Sequence, residues 1–492
     1  MNIGLKAKKI ITTAALTGMI AALCACSGGQ SAENTADAVR EYLTKADIKV
    51  NEQMDNSADG EHVIEVSGEE KEYSNIGVSK TGEADGDEAD FYGENSAIFA
   101  TEKAKLTIRD SLIETNGTHA NAVFSYGEGT EVSVNDSVIE TSGNCSGGLM
   151  TTGGGTTNAE HVTINTSGNS SAAIRSDRGG GTVNVNNSYA QTTGKGSPVV
   201  YSTADITVSD SYMESTASQG VVVEGKNSVT LKNDTLIADN NTKNSDKSDY
   251  YQAVMIYQSM SGDADSGKAS FTAEGGSITN KNGDIFFVNN TAADISLEGV
   301  TITNEDNEGI FLRAAAAGWG NEGSNGGKVN LNAVGQTIDG DIQVDDVSVL
   351  NMYLKDSSAF SGSINSDGQK GDVYVEIEDG STWTLTADSY VSGLTVSDKS
   401  AIDLNGHKLY VDGKEYTEGS ASEGKAFEIS SADDSGSSEK PEGAPEKGQV
   451  PPDGEKGGSG KGEPPAKPDG DGKGGPGNGE PPAKPDGSES GE

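Results

Sequence analysis

Proline is almost missing from the first 440 residues of this chain: 11 of its 12 occurrences lie beyond that point. Proline cannot donate to a strand ladder, so the body is free for uninterrupted strand pairing and a boundary falls near residue 440. Aromatic residues make up 5% and hydrophobic residues 33% of 492 residues. That is thin for an ordinary globular core, but enough for a solenoid, where each coil needs only a few inward Val, Ile or Leu. The three cysteines, Cys24, Cys26 and Cys145, exclude a disulfide framework, and Cys145 reads as a small turn residue. The four histidines (His62, His119, His161 and His407) are far apart and outside any motif, and each reads as a turn or edge residue. Positive charge is scarce: 35 Lys and Arg stand against 77 Asp and Glu, a net charge of −42, to which residues 431–492 contribute only −7. That balance argues against nucleic acid and against electrostatic docking on anionic lipid. It argues less strongly against polyanionic substrates, which calcium would have to bridge.

What the chain has in place of these is a repeated phrase. Leu106-Thr-Ile108 is followed by Asp110-Ser111 and Leu112-Ile-Glu-Thr115, and Val132-Ser-Val134 by Asp136-Ser137 and Val138-Ile-Glu-Thr141. Further copies centre on Val162-Thr-Ile164, Val183-Asn-Val185, Ile206-Thr-Val208, Val229-Thr-Leu231, Phe271-Thr-Ala273 and Ile295-Ser-Leu297. The turns recur every 23 to 42 residues, so the repeat tolerates insertions. Strand periodicity with variable inserts predicts a stacked solenoid, an all-β parallel β-helix of about eleven coils.

The ends read differently. Lys6, Lys8 and Lys9 precede an apolar stretch over residues 10–23, the pattern of an export signal. The run Leu23-Cys-Ala-Cys26-Ser-Gly28 resembles the lipobox of bacterial lipoproteins. That resemblance implies lipidation at Cys26 and anchoring to the outer face of a bacterial membrane. The expected organisation is a signal peptide (1–25), a tether (26–60), a parallel β-helix (61–370), C-terminal coils and a cap (371–430), and a disordered Pro/Gly-rich tail (431–492). In the tail, Gly462-Glu-Pro-Pro-Ala-Lys-Pro-Asp-Gly470 recurs at Gly479–Gly487. Beyond residue 370, Trp383 reads as a core plug at the solenoid end, in coils that resemble those of β-helical adhesins.

A second strand family runs beside the first. Aligned by apolar triplets, it places Phe124, Met150, Ile174, Val200, Val223, Ile256, Phe287 and Leu312 inward. The next residues then point outward: Ser125, Thr151, Arg175, Tyr201, Glu224, Tyr257, Val288 and Arg313. Their outer neighbours are apolar: Val123, Leu149, Ala173, Val199, Val222, Met255, Phe286 and Phe311. An exposed face mixing apolar surface with Arg175, Tyr201, Glu224, Tyr257, Phe286, Phe311 and Arg313 is the expected binding surface, suited to stacking sugar rings. The loops 241–251 and 314–327 are the segments able to fold over it.

The phrases Lys80–Gly86, Asp90–Gly93, Met150–Asn158 and Ile174–Thr182 resemble those of β-helical surface lipoproteins and adhesins of gut Gram-positive bacteria. Those proteins fall in the pectate-lyase-like, right-handed parallel β-helix superfamily. The resemblance covers about residues 60–415 and implies fold, handedness and location more than chemistry. Polygalacturonase-type signatures are missing: there is no Gly-His-Gly or Arg-Ile-Lys, and the repeat region has one Asp-Asp, Asp345-Asp346. Asp177 and Glu224 near Arg175 and Arg178 are the carboxylates nearest to a catalytic arrangement, with a solvated ion-pairing role as the plainer reading. Asp85, Asp87 and Asp90, in a Gly-containing loop with Glu94, are candidate calcium ligands for a structural ion; no other cofactor is implied. The favoured expectation is a lipid-anchored, non-enzymatic adhesin or glycan-binding protein. Its partners would be the membrane, through the anchor, and host or cell-wall glycans or surface proteins. The alternatives are a polysaccharide lyase or glycoside hydrolase with a non-standard site, and a structural component of the cell surface.

Overall fold

The computed structural model describes residues 42–429 except 260, 369 and 370. The signal peptide, Cys26, the first part of the tether and the tail therefore lie outside the described residues. Three long parallel sheets form the walls of a right-handed parallel β-helix. The first has ten strands, from Glu52–Asn56 to Thr301–Asn304. The second has eleven, from Ile64–Ser67 to Ile342–Val344, and the third has thirteen, from Glu70–Ser74 to Gly393–Val396. Among the described residues the one α-helix is the five-residue turn Asp87–Phe91. No helix among them is long and apolar enough to cross a membrane.

The repeated phrase is the corner between two walls. Its first half lies in the third sheet, as in Lys105–Arg109 stacked on Glu131–Asn135. Its second half lies in the first sheet, as in Leu112–Thr115 beside Val138–Thr141. The Asp or Asn between them takes the left-handed conformation, with φ of 48° at Asp110, 47° at Asp136, 48° at Asn187 and 49° at Asp210. Asn and Asp tolerate that region better than other non-glycine residues do. The following Ser turns its hydroxyl back on the corner. Ser111 Oγ donates to the Arg109 carbonyl at 2.6 Å and accepts from the Ile76 amide at 3.3 Å, so each serine ties its own coil to the one before.

The next corner repeats the device. The amides of Ala120, Ser146 and Ser171 donate to the hydroxyls of Ser146, Ser171 and Ser197, each at 2.9 Å. Inside, Val, Ile and Leu from all three walls form one continuous core, including Leu106, Ile108, Ile113 and Val123. Trp383 is fully buried, stacks on Phe360 at 5.6 Å and donates Nε1–H to the Gly362 carbonyl at 3.0 Å, so it does fill the interior near the C-terminal end.

Two expectations change. The parallel pairing starts at Glu52–Asn56, which pairs with Ile76–Lys80 inside the stretch read as tether. The third sheet continues beyond residue 370 through Asp372–Ile377 to Gly393–Val396 without a break. The second-sheet columns also shift. Val123, Leu149, Ile174, Val200, Val221, Val254, Phe286 and Leu312 share a register and face the core. Phe124, Met150, Arg175, Tyr201, Val222, Met255, Phe287 and Arg313 form the adjacent column on the other face. A one-residue slip moves a side chain across the sheet. Phe124, Met150 and Phe287 are accordingly outside the central core, whereas Phe286 and Phe311 belong to it.

Candidate functional site

The outer face of the second sheet carries the candidate site, but it is not an open platform. Val222, Met255 and Phe287 make a small apolar cluster of their own, and the chain after Leu312–Ala314 returns over it with Ala315, Ala317 and Trp319. Asn325 Nδ2 holds that return in place by donating to the carbonyls of Ala317 at 2.6 Å and Trp319 at 2.8 Å. The loop at 241–251 covers the neighbouring surface. Tyr250 packs on Phe287 at 5.4 Å and beneath the Arg313 guanidinium at 4.1 Å. The Gly318 amide donates to the Lys247 carbonyl at 2.6 Å, joining the two loops.

Between loops and sheet a cleft of about 130 Å³ remains, lined by Tyr201, Gln219, Lys243, Met255, Tyr257 and Trp319 among others. Two of its lining residues, Tyr201 and Tyr257, are anchored by Glu224, which is 1% exposed and does not itself line the cleft. Glu224 Oε2 accepts hydrogen bonds from the Tyr201 hydroxyl and, at 3.0 Å, from the Tyr257 hydroxyl. Oε1 accepts from the Ser259 amide at 3.3 Å. One buried carboxylate therefore fixes two phenols from the coils on either side of its own, and both tyrosines line the cleft. Burial is the main cause that holds both phenols well above the ordinary tyrosine range, with the Glu224 charge adding to it. Trp319 meets the Tyr257 ring edge-to-face at 5.3 Å. The cleft is aromatic on its walls and carries amide and ammonium groups at its rim.

The predicted binding-face residues thus separate into four groups. Tyr201, Glu224 and Tyr257 converge. Arg313 lies further along the sheet, ion-paired to buried Asp284 at 2.6 Å and hydrogen-bonded to Gln343. Phe286 and Phe311 are 0% and 1% exposed and pack edge-to-face in the core at 5.5 Å, so they present nothing to a ligand.

Arg175 lies on the coil before Tyr201, its guanidinium 6.0 Å from that ring and 2.7 Å from Asp177. Asp177 is 3% exposed, and burial pushes its carboxyl up to about 6 against the pull of Arg175. A carboxyl raised above its unfolded value of 3.8 binds its proton more tightly in the folded state. Its contribution to stability is therefore full below about pH 4 and is lost as pH rises through about 6. Asp177→Asn removes that slope. Urea midpoints of wild type and variant should converge at high pH or cross in the variant's favour, and parallel profiles would refute the assignment.

The acidic loop does not gather its carboxylates. Asp87 pairs with Arg178 at 3.0 Å, Asp90 lies 2.9 Å from His119 Nδ1, and Asp85 is 3.9 Å from His119 Nε2. The expected calcium set of Asp85, Asp87 and Asp90 is dispersed by these pairings. A different group, Asp90, His119 and Cys145, brings three donor atoms within 4.8 Å of one another. Contact with Asp90, then with Cys145, raises the His119 imidazole to about 10. Sequence reading missed this group and also Trp319. The available signal for the former was spacing: the 26-residue coil step from Ala120 to Ser146 also separates His119 from Cys145.

The chain matches no protein-family model and no curated protein.

Proposed function

We propose that this protein is a non-enzymatic glycan-binding adhesin, lipid-anchored at Cys26 on the outer face of a bacterial membrane. In this reading it is one of the β-helical surface lipoproteins of the pectate-lyase-like superfamily, and the cleft over the second sheet takes a single sugar residue of a host or cell-wall glycan. The observation that carries the reading is the cleft itself. Trp319, Tyr257 and Tyr201 offer ring faces and edges, Gln219 and Lys243 offer polar groups at the mouth, and loops tied to each other shape the entrance. Ligand sites for organic molecules generally combine an apolar lining with a few placed polar groups. At about 130 Å³ the space is well below the roughly 300 Å³ of drug-sized pockets, which favours one ring over an extended chain.

The lyase or hydrolase reading draws less support. Asp177 and Glu224 are 3% and 1% exposed and each is already engaged by protein donors. A glycan array probed with the purified protein tests the proposal. Retention on one class of saccharide is expected, and Trp319→Ala should weaken it by about tenfold or more, the equivalent of 1.4 kcal/mol of lost contact. Equal retention by the variant, or no retention of wild type on any glycan, would count against the cleft. Release of reducing or unsaturated sugar would favour the enzyme.

A further inference from the structure

We infer that Asp90, His119 and Cys145 form a binding site for a divalent transition-metal ion of the zinc type. The three donors come from separate parts of the chain that the fold brings together. Asp90 lies on the short helix Asp87–Phe91, which is fastened to the solenoid by Asp87–Arg178 at 3.0 Å and by the Thr152 hydroxyl donating to the Phe91 carbonyl at 2.8 Å. His119 and Cys145 occupy the same corner on successive coils: the His119 amide donates to Asn144 at 2.9 Å and the Cys145 amide to Asn169 at 2.8 Å. Their donor atoms and a carboxylate oxygen of Asp90 lie within 4.8 Å of one another.

The chemistry of the set selects the ion. A thiolate, an imidazole and one carboxylate suit a borderline-soft tetrahedral metal, whereas calcium requires six to eight oxygens. The fit is close. Zinc bonds of about 2.0–2.1 Å to N and O imply roughly 3.3 Å between those donors, so the 2.9 Å from His119 Nδ1 to Asp90 Oδ1 needs to open only slightly. The Cys145 sulfur already lies within 4.8 Å of both other donors.

A second observation points the same way. His119 is 5% exposed, and its Nδ1 makes no hydrogen bond of ordinary geometry although Asp90 Oδ1 lies 2.9 Å away. His161 shows the contrast, with an ordinary hydrogen bond to Asp136 at 2.8 Å. Both His119 and Cys145 adopt left-handed backbone, φ 56° and 54°, at a corner position that Gly196 fills two coils beyond Cys145. Histidine is among the residue types enriched in that region but cysteine is not, so the backbone gives no reason for choosing Cys145. The neighbouring cations are already paired, Arg175 with Asp177 and Arg178 with Asp87 and Asp263. The net charge of −42 favours cation approach.

Cobalt(II) titration of the full chain tests the site. One ion per chain should bind with a thiolate-to-cobalt charge-transfer absorption that persists in a Cys24→Ser/Cys26→Ser variant and disappears in Cys145→Ser. His119→Gln should weaken binding by at least about tenfold, the scale on which ligand-shell losses act. In the Cys24→Ser/Cys26→Ser chain, zinc should also slow alkylation of the remaining thiol, a readout independent of whether the other variants fold. Absence of the absorption, its survival in Cys145→Ser, or an alkylation rate indifferent to zinc would overturn the inference.

Discussion

Gly143→Ala should destabilise the solenoid by about 3 kcal/mol or more, far beyond the cost of an ordinary glycine replacement. A Cβ at Gly143 would stand 1.8 Å from the Gly117 carbonyl oxygen and 2.6 Å from its carbon. The obstacle is backbone of the preceding coil, which cannot rotate away as a side chain can. Coil spacing is fixed by strand pairing on either side, at about 4.8 Å. The same contact recurs up the corner, with Gly117 against Gly82 at 1.9 Å, and Gly168 against Gly143 and Gly194 against Gly168 at 1.8 Å each. A useful control is Gly127, whose φ is 91° but whose Cβ would meet nothing within 4 Å. Gly127→Ala should cost only the left-handed penalty of roughly 1–2 kcal/mol. Coils contact only their neighbours, so the damage in Gly143→Ala should be local first, with proteolysis appearing near residues 117–168 before the ends open. Equal denaturation midpoints for the two variants would show that the glycine column is not a packing constraint.

The scaffold was legible because its rules are local. Leu106-Thr-Ile108 and Leu112-Ile113 alternate with period two, and Asp110 stands where a left-handed corner is needed, so both strands and the turn could be placed from sequence. The second sheet was harder because it is apolar on both faces. In Val221-Val222-Val223 and Ile285-Phe286-Phe287 no polar residue marks which side is out. The outer column is buried by loops, and burial on both faces erases the alternation on which register depends. That is why Phe286 was placed on the binding face, whereas its neighbour Phe287 is there instead, and why Phe311, which precedes the strand Leu312–Ala314 and packs on Phe286, was placed with it.

Although Tyr201 registers with Val222 and only Glu224 and Tyr257 pair directly, the placing of all three on the outer face of successive coils was visible. Trp319 was not, since it arrives on an irregular loop with no periodicity to align. The Asp90–His119–Cys145 group was hidden for a related reason. Its histidine and cysteine follow the coil step, but its carboxylate comes from a helix outside the repeat.

Glu224→Ala should cost about 3–5 kcal/mol, although Glu224 lies on the outer face of the sheet and outside the main core. Removing the carboxylate leaves the hydroxyls of Tyr201 and Tyr257 and the amide of Ser259 without their acceptor. Each buried donor left unpaired costs about 1–3 kcal/mol, because water that would compensate it is excluded. Glu224→Gln separates this structural cost from the charge. The amide keeps one acceptor oxygen, and the phenols can rotate to accept from its NH₂ group, so the variant should fold with a smaller loss. What changes is the electrostatics. With the negative charge gone, both phenols should ionise at lower pH than in wild type, which ultraviolet difference titration would register. Burial remains the larger cause of their elevation, so the return should be partial. If Glu224→Ala matches wild type to within about 1 kcal/mol, the phenols have other acceptors and the cleft has no buried anchor. If it unfolds readily while Glu224→Gln folds but loses glycan retention, a single carboxylate both holds the covered face together and orients the groups that a sugar would meet.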